Sequence, residues 1–359
     1  MKILVLAPEL FLSDGGIARI MRLYLKALCE ICGPDGQVDS LVLNDRPGDE
    51  PRLAHYTTDR LRRHAACAGR KLRYVTQAVR FARCADVLIC GHLHHLAIAR
   101  LAKVFNPRLR YYLVAHGIEV WRPYNAIERG ALLGAQRILC VSEYTRRQIL
   151  RFLPALPAAR AVVVPNTLDP CLSEKTNPPF DGSRIIGPSI LTVSRLTAAD
   201  NYKGVDTLIE ALPLVRRSYP QARLRVVGQG DDLPRLRALA ASLGVAGAVE
   251  FAGKISDQLL RAEYEACDLF ALPSRREGFG LVFLEAMTHG KACIGARAGG
   301  VPEVVNDDVG QLVEYGNIPD LAAAVTDLMR HPRDSEVVRR HAAAFAFPVF
   351  QRRLAAALN

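Results

Sequence analysis

The chain has 359 residues, half of them hydrophobic and 23% charged, a length that exceeds the usual single domain and predicts two. Nine cysteines are scattered without metal-site or disulfide-framework spacing, and Met1 runs straight into an apolar strand, so we expect a protein of the reducing cytoplasm. The net charge of +11 comes from the first 165 residues, which hold 25 Lys and Arg against 13 Asp and Glu. No helix-turn-helix, zinc-finger or aromatic RNA-binding pattern accompanies this charge, so nucleic acid is not a predicted partner.

Short apolar runs alternate with helical patterns along the whole chain, which predicts two doubly wound α/β domains with parallel sheets. The runs are residues 3–7, 40–43, 87–90, 111–115, 138–141 and 162–164, followed by 189–194, 223–227, 249–252, 269–272, 292–295 and 310–313. Residues 171–185 are the predicted linker between a first domain, 1–170, and a second, 186–345. A break at Phe347-Pro348 lets a final helix, 346–359, return to the first domain. Ligands are expected in a cleft between the domains, at the carboxyl ends of the strands.

A basic run lies in the first domain between Arg60 and Arg83. It holds eight Lys and Arg residues and no acidic residue. One interpretation is a solvated helical face. The other is contact with an anionic surface, such as lipid headgroups or a phosphorylated acceptor.

Two further features of the first domain suit a ligand. Gly15 and Gly16 follow the first strand and open a helix, so a ligand can approach backbone N–H groups closely there. His116 stands directly after the strand 111–115, where it can meet a substrate. His92, His94 and His95 resemble a metal cluster, but they lack carboxylates at clear spacing, and no metal site is predicted.

The second domain opens with two cations at favourable positions. Arg195 ends its first strand, and Lys203 opens the next helix, an arrangement that suits a diphosphate. Gly228 and Gly230 suggest a nicotinamide dinucleotide fingerprint, but Leu233 stands where the third Gly belongs. A tight strand-to-helix turn is the favoured interpretation of these two glycines.

The stretch 277–285 holds two carboxylates eight positions apart. Glu277 lies in a loop, and Glu285 lies in the first turns of a helix predicted to begin between Phe279 and Leu281. A sugar nucleotide needs a partner for its sugar hydroxyls, donors for its diphosphate and an acceptor for its ribose hydroxyls. The loop carboxylate, the helix-start amides and the helix carboxylate provide these three groups.

Together these motifs resemble glycosyltransferase family 4, retaining enzymes of the GT-B fold, over nearly the whole chain. The marks are Gly15-Gly16, Ala115-His116-Gly117, Val164-Pro165-Asn166, Ser194-Arg195, Lys203-Gly204, Val227-Gly228-Gln229-Gly230, Glu277 to Glu285, and Gly299-Gly300-Val301-Pro302-Glu303. One departure is the insertion-like segment 197–202 between Arg195 and Lys203.

The resemblance implies transfer of a hexose (mannose, glucose or N-acetylglucosamine type) from a GDP- or UDP-linked donor to a glycan or lipid-linked acceptor, in cell-surface polysaccharide biosynthesis. It implies no metal or other cofactor, and a location in the cytoplasm or on the inner face of the plasma membrane. The implied catalytic residues are His116, Arg195, Lys203 and Glu277, and the implied donor-binding residues are Gly15, Gly16, Gly228, Lys254, Ile255, Phe279, Gly280, Leu281 and Glu285.

Two other classes of function stay open. A nucleotide-sugar epimerase of the same fold would release free sugar or an isomer without an acceptor. A non-catalytic nucleotide-binding module would bind a donor without turnover, although the complete set of Arg195, Lys203, Glu277 and Glu285 argues against it.

Overall fold

The computed structural model describes residues 1–48, 50–170 and 187–359. The chain divides into two compact units, Met1–Cys171 with Phe347–Asn359, and Leu172–Ala346. The predicted linker, residues 171–185, lies outside the described residues.

The first domain contains a seven-stranded parallel sheet in the order β3-β2-β1-β4-β5-β6-β7. Its strands are β1 Lys2–Ala7, β2 Gln37–Val42, β3 Leu61–Ala66, β4 Val87–Cys90, β5 Arg110–Ala115, β6 Arg137–Cys140 and β7 Ala161–Val163. Its helices are α1 Gly16–Ile31, α2 Lys71–Ala82, α3 Leu96–Phe105, α4 Ala126–Gly134, α5 Glu143–Phe152 and the final helix, α12 Phe347–Leu358. Five of the six β1 residues are buried because helices cover both faces of the sheet.

The second domain repeats this plan with six parallel strands in the order β10-β9-β8-β11-β12-β13. The strands are β8 Ser189–Val193, β9 Arg223–Val227, β10 Val249–Gly253, β11 Leu269–Leu272, β12 Ala292–Ala296 and β13 Gly310–Val313. The helices are α6 Val205–Ser218, α7 Leu233–Ser242, α8 Asp257–Ala266, α9 Leu281–Thr288, α10 Ile318–Arg330 and α11 Ser335–Ala343. The prediction of two doubly wound α/β domains is confirmed.

Each sheet has a point where the direction of strand succession reverses. In the first domain it lies beside β1, which pairs with β2 on one side and β4 on the other. In the second it lies beside β8, which pairs with β9 and β11. Ligands of doubly wound sheets bind outside the carboxyl ends of strands at such points. Gly15-Gly16 and Arg195 follow β1 and β8, respectively.

The edge strand β3 corrects the helical interpretation of the basic run. Arg62 and Arg63 lie on this strand, and both donate to the carboxylate of Asp39 on neighbouring β2. The sequence reasoning missed β3 because edge strands carry polar side chains and lack the continuous apolar pattern of central strands. Arg70, Lys71 and Arg73 lie at the start of α2, whereas Arg80 and Arg83 lie at its end.

The final helix packs within the first unit. The Phe350 ring meets the ring of Tyr24 on α1 edge-on at a centroid distance of 5.0 Å. The Tyr112 hydroxyl on β5 donates to the carbonyl of Leu358 at 3.1 Å. Among all the described residues, no helix is long and apolar enough to cross a membrane.

Candidate functional site

The loop after β8 carries the two cations predicted to meet a diphosphate. Arg195 lies two residues beyond β8, and a short 3-10 helix, Ala198–Lys203, ends at the second cation. Gly204 follows with a φ of 75°, which favours glycine, and a Cβ there would lie 2.5 Å from the carbonyl oxygen of Pro273. This close approach fixes the loop against the chain that follows β11.

Lys203 and Glu277 form an ion pair at this edge of the sheet. The Lys203 Nζ lies 2.5 Å from Glu277 Oε1, and the two side chains are only 18% and 12% exposed. The backbone of Glu277 is fixed as well, because its carbonyl accepts the Gly300 N–H at 2.8 Å. A pair withdrawn from solvent in this way is screened less by salt than a surface pair. Lys203 is therefore held in place by the loop carboxylate.

Helix α9 begins four residues after Glu277, at Leu281, as the sequence indicated. Gly280 precedes it with a φ of 95°, and a Cβ there would lie 2.6 Å from the Phe283 ring. The N–H groups of a first helical turn have no acceptor within the helix, so those of Leu281 and Val282 are available to an anion. Phe279 is 3% exposed and packs edge-on against Phe345, so its side chain is not available to a ligand.

Glu285 lies on the second turn of α9. Its Oε2 accepts the hydroxyl of Tyr264 on α8 at 3.0 Å. Tyr264 itself is buried and stacks with His289. The tyrosine therefore orients a carboxylate that the sequence assigned to the ribose, and the sequence offered no signal for this partner because it comes from another helix.

Gly228 and Lys254 follow two strands that neighbour β8. Gly228 directly follows β9 with a φ of 141°, and a Cβ there would lie 1.7 Å from the Ser194 carbonyl oxygen. This close contact between adjacent loops therefore requires glycine at position 228. Lys254 and Ile255 directly follow β10 and are exposed and partly exposed, respectively. The sheet order thus brings Arg195, Gly228 and Lys254 to one edge.

In the first domain, Gly15 and Gly16 lie at the start of α1. A Cβ added to Gly16 has no heavy atom within 4 Å, and one added to Gly15 meets only Ser13 Oγ at 3.5 Å. The fold of this domain therefore does not require glycine at position 16. A ligand that approaches the helix start would require it.

Two carboxylates organise the loop between β1 and α1. Asp45, fully buried three residues beyond the end of β2, accepts the N–H groups of Leu10, Phe11 and Leu12 at 2.9 to 3.3 Å. Sequence reasoning missed this residue, for which the one signal was an Asp just beyond a buried strand.

Asp14, which lies in the same loop, binds Arg22 of α1 and Arg52. Its carboxylate lies 3.2 Å from Arg22 and 2.9 Å from Arg52, and these arginines hold the pKa of Asp14 below its usual value against the opposing effect of burial. The buried Arg22 guanidinium also lies over the Phe11 ring. The glycine turn is therefore anchored on both sides.

His116 begins the turn after β5. Its Nε2 lies 3.0 Å from the Gly91 carbonyl oxygen, so Nε2 carries the proton and Nδ1 can accept a hydrogen bond. Burial lowers the pKa of His116, while Glu119 and the Gly91 carbonyl oppose this shift. Glu119 also accepts the backbone N–H groups of His116 and Gly117 at 2.6 and 3.2 Å. His116 is therefore a neutral group in a fixed orientation.

The three histidines after β4 are engaged with their neighbours. His92 Nδ1 accepts the N–H of His94, and His95 Nδ1 lies 3.2 Å from the Tyr74 hydroxyl. Within residues 1–48, 50–170 and 187–359, no three His, Cys, Asp or Glu side chains are grouped to hold a metal ion.

This fold and these motifs define a glycosyltransferase of the GT-B class. The Anabaena protein Alr3699/HepE, crystallised with UDP, has the same fold, with a TM-score of 0.82 and 21% identity over 100% of this chain and 99% of that one. A family model described as Glycosyltransferase Family 4 matches residues 15–171, and one described as Glycosyl transferases group 1 matches residues 187–344.

Curated relatives agree with these models. A GDP-mannose-dependent alpha-(1-6)-phosphatidylinositol monomannoside mannosyltransferase of Mycolicibacterium smegmatis is 33% identical over 281 residues, which are 72% of this chain and 68% of the relative. Its namesake in Mycobacterium tuberculosis H37Rv is 34% identical over 235 residues, 60% of this chain and 59% of that protein. The chain belongs to glycosyltransferase family 4, and it transfers a sugar from a nucleotide sugar.

Proposed function

We propose that this protein is a retaining hexosyltransferase that moves mannose from GDP-mannose to a hydroxyl of a glycan or lipid-linked acceptor. The observation that carries the mechanism is the ion pair between Lys203 and Glu277 beside the first turn of α9. Mannose is the first candidate because the similar mycobacterial enzymes are named for GDP-mannose and for a phosphatidylinositol-linked acceptor.

Charge stabilisation of the departing nucleoside diphosphate is the proposed source of the rate. Arg195 and Lys203 neutralise the two phosphates, while the Gly280 and Leu281 region donates backbone N–H groups to them. Lys203 is held by Glu277 before the donor binds, so little reorganisation is needed when negative charge develops. Two fixed cations supply the charge that a divalent metal would otherwise bring, and we propose a metal-independent reaction.

The remaining groups bind and orient the donor. We assign sugar hydroxyls to Glu277, ribose hydroxyls to Glu285, and the base to the backbone at Lys254 and Ile255. Gly228 belongs to the same edge of the second sheet. For the first domain, we propose that Gly15 and Gly16 accommodate the diphosphate and that His116 accepts a hydrogen bond from the sugar. The acceptor hydroxyl then attacks on the face that the diphosphate leaves, without a covalent intermediate.

A donor screen followed by product analysis tests this function. Thermal shift with GDP-mannose, UDP-glucose and UDP-N-acetylglucosamine should give the largest stabilisation with GDP-mannose. NMR of the product formed with a phosphatidylinositol mannoside acceptor should show an α-linked mannose, and chelation of divalent metals should leave the rate unchanged. Release of free sugar or an isomer from the donor alone would favour an epimerase, and binding without turnover would favour a non-catalytic module.

We also propose that the protein contacts an anionic membrane from the cytoplasm through the start of α2. Arg70, Lys71 and Arg73 are exposed around the N-terminus of this helix, where cations oppose the helix dipole and lipid phosphates would relieve the repulsion. Leu72 is 84% exposed among them and is available to insert between headgroups. Arg62 and Arg63 are less suited because they already bind Asp39.

Vesicle sedimentation tests this contact. The triple variant Arg70→Gln, Lys71→Gln, Arg73→Gln should lose binding to phosphatidylglycerol vesicles at low salt, whereas neutral vesicles should bind neither protein. A matched variant, Arg217→Gln, Arg223→Gln, Arg340→Gln, removes the same charge from exposed sites of the second domain and should bind normally. Equal losses of vesicle binding in the two variants would mean that binding depends on the net charge of the protein and not on the start of α2.

A further inference from the structure

The segment 197–202, which departs from the family's spacing, surrounds a buried carboxylate. Asp200 is 8% exposed, and its two oxygens accept three side-chain hydrogen bonds. Oδ2 accepts the Thr197 hydroxyl at 2.8 Å, and Oδ1 accepts the Tyr202 hydroxyl at 2.8 Å and the Arg195 guanidinium at 3.2 Å. Two of these donors lie within the segment, so the carboxylate is fixed before it meets the arginine.

Arg195 differs from its partner in exposure. Its side chain is 71% exposed, whereas that of Asp200 is 9% exposed. A long exposed arginine samples many rotamers, and fixing them when a ligand binds weakens the binding. The contact with a rigid, buried carboxylate restricts this freedom in advance.

Tyr202 connects the same carboxylate to the second cation. Its ring centroid lies 5.5 Å from the Lys203 Nζ and 6.0 Å from the Arg276 guanidinium, and its carbonyl accepts the Arg275 N–H at 2.8 Å. Burial, together with the hydrogen bond to Asp200, raises the pKa of Tyr202 far above its usual value. The hydroxyl therefore remains a donor to Asp200 throughout the range in which the protein would be assayed.

We propose that Asp200 is a positioning residue that orients Arg195 toward the donor diphosphate. This inference rests on the proposed role of Arg195. The segment 197–202 separates the two cations along the chain. Asp200 connects the two ends of this segment, because it accepts hydrogen bonds from Thr197 and Tyr202. The negative charge of Asp200 is compensated by the Arg195 guanidinium and by two hydroxyl groups of the segment.

The test is a double-mutant cycle between Asp200 and Arg195. Asp200→Asn keeps the size of the side chain but removes the charge that attracts the guanidinium. We expect the donor KM to rise and kcat/KM for the donor to fall about tenfold, with an unchanged acceptor KM. In the Arg195→Ala background the same change should have no further effect, because the arginine it orients is gone.

Asp231→Asn is the matched control. The Asp231 carboxylate also anchors the segment, by accepting the Ala198 N–H at 2.9 Å, but this hydrogen bond involves neither cation. It should leave the donor KM close to the wild-type value. If Asp200→Asn does not fold, Thr197→Val, which removes one hydrogen bond to Asp200, should give a smaller rise in donor KM that also disappears in the Arg195→Ala background.

Three outcomes would overturn the proposal. A lower donor KM in Asp200→Asn would mean that Asp200 competes with the diphosphate for Arg195. Full additivity with Arg195→Ala would mean that Asp200 does not act through the arginine, and equal effects of the Asp231 and Asp200 variants would reduce its role to general support of the loop. Normal turnover of Arg195→Ala alone would instead remove the arginine from the proposed function, a result that is distinguishable from the other three.

Discussion

The loop after β1 and the loop after β8 occupy corresponding positions in the two sheets, but carboxylates interact with them differently. In the first domain, Asp45 binds backbone N–H groups and Asp14 binds arginines that anchor the loop. In the second, Asp200 and Glu277 bind Arg195 and Lys203, the cations proposed to meet the ligand.

The two loops are therefore arranged for a charged ligand in two different ways. The first loop is shaped so that the start of a helix stays open, and it presents backbone groups next to Gly16. The second loop presents positive side chains whose positions are fixed by negative ones. Substitutions in the second loop should therefore change electrostatic stabilisation directly, whereas those in the first should act through loop shape or steric access.

The largest effect is expected from Lys203→Ala. It removes a cation next to the departing diphosphate and leaves Glu277 largely buried without its partner. We expect kcat to fall on the order of 10²–10³-fold, as for the loss of a donor to a developing anion. Steady-state kinetics with the native donor measure this loss.

Lys291→Ala is its control, because Lys291 lies in the same domain and donates to a backbone carbonyl, that of Glu265. It should keep normal kinetics. Near-normal turnover of Lys203→Ala would mean that the second loop does not act through charge. The proposed difference between the two loops would then be wrong.

The general architecture was predictable because central parallel strands are continuous apolar runs. Strands such as β4, buried at all four positions, match the predicted run at 87–90. Strand β3 was not predictable in this way. Its Arg62 and Arg63 are tied to Asp39, an interaction that depends on which strand forms the neighbour in the sheet.

The residues of the candidate site likewise fall into two groups, those that the local sequence predicts and those that only their tertiary partners reveal. Residues that follow strands in the sequence, such as Arg195 and His116, could be selected from local pattern. Asp45, Tyr264 and Asp200 could not, because their importance lies in tertiary partners: three loop amides, a carboxylate on another helix and an arginine across a 3-10 turn. The space beside Gly16 is likewise a property of the fold.

A smaller effect is expected from Asp45→Asn. The amide would direct N–H groups toward the N–H groups of Leu10, Phe11 and Leu12, and a buried unmade hydrogen bond costs about 1–3 kcal/mol. We expect lower thermal stability, faster hydrogen exchange at these three amides and about tenfold lower kcat/KM, measured together on one preparation.

The control for Asp45 is Asp39→Asn on β2, the strand that precedes Asp45, since this buried carboxylate binds arginines of β3 instead of the loop. It should lose stability but keep its kcat/KM. Similar losses of activity in both variants would mean that the first domain is sensitive to destabilisation in general and not to the shape of the loop.

Gly16→Ala tests steric access alone. The alanine Cβ has room within the fold, and alanine favours a helix by up to about 1 kcal/mol over glycine, so the melting temperature should stay the same or rise. The donor KM should nevertheless increase several-fold if the ligand occupies that space. Gly247→Ala, at another position with no heavy atom within 4 Å of the added Cβ, should leave the donor KM unchanged. An unchanged donor KM in Gly16→Ala would remove this turn from the donor site.

The smallest effect concerns pH and belongs to the first domain, where burial lowers the pKa values of two histidines that follow β4, His92 and His95. Burial lowers the pKa of His95 to about 3 and that of His92 to about 4. In the unfolded chain a histidine takes up its proton near pH 6.5. As the pH falls from 6.5 to 5, the unfolded state binds protons that the folded state does not, and stability must decrease.

Thermal unfolding between pH 8 and 5 measures this slope, above the range in which carboxylates titrate. His95→Gln keeps a polar partner for the Tyr74 hydroxyl and removes one of the buried imidazoles, so its melting temperature should depend less steeply on pH than that of the wild type. Identical slopes in the wild type and His95→Gln would contradict the assignment of the pH response to the buried histidines, because glutamine does not titrate in either the folded or the unfolded state.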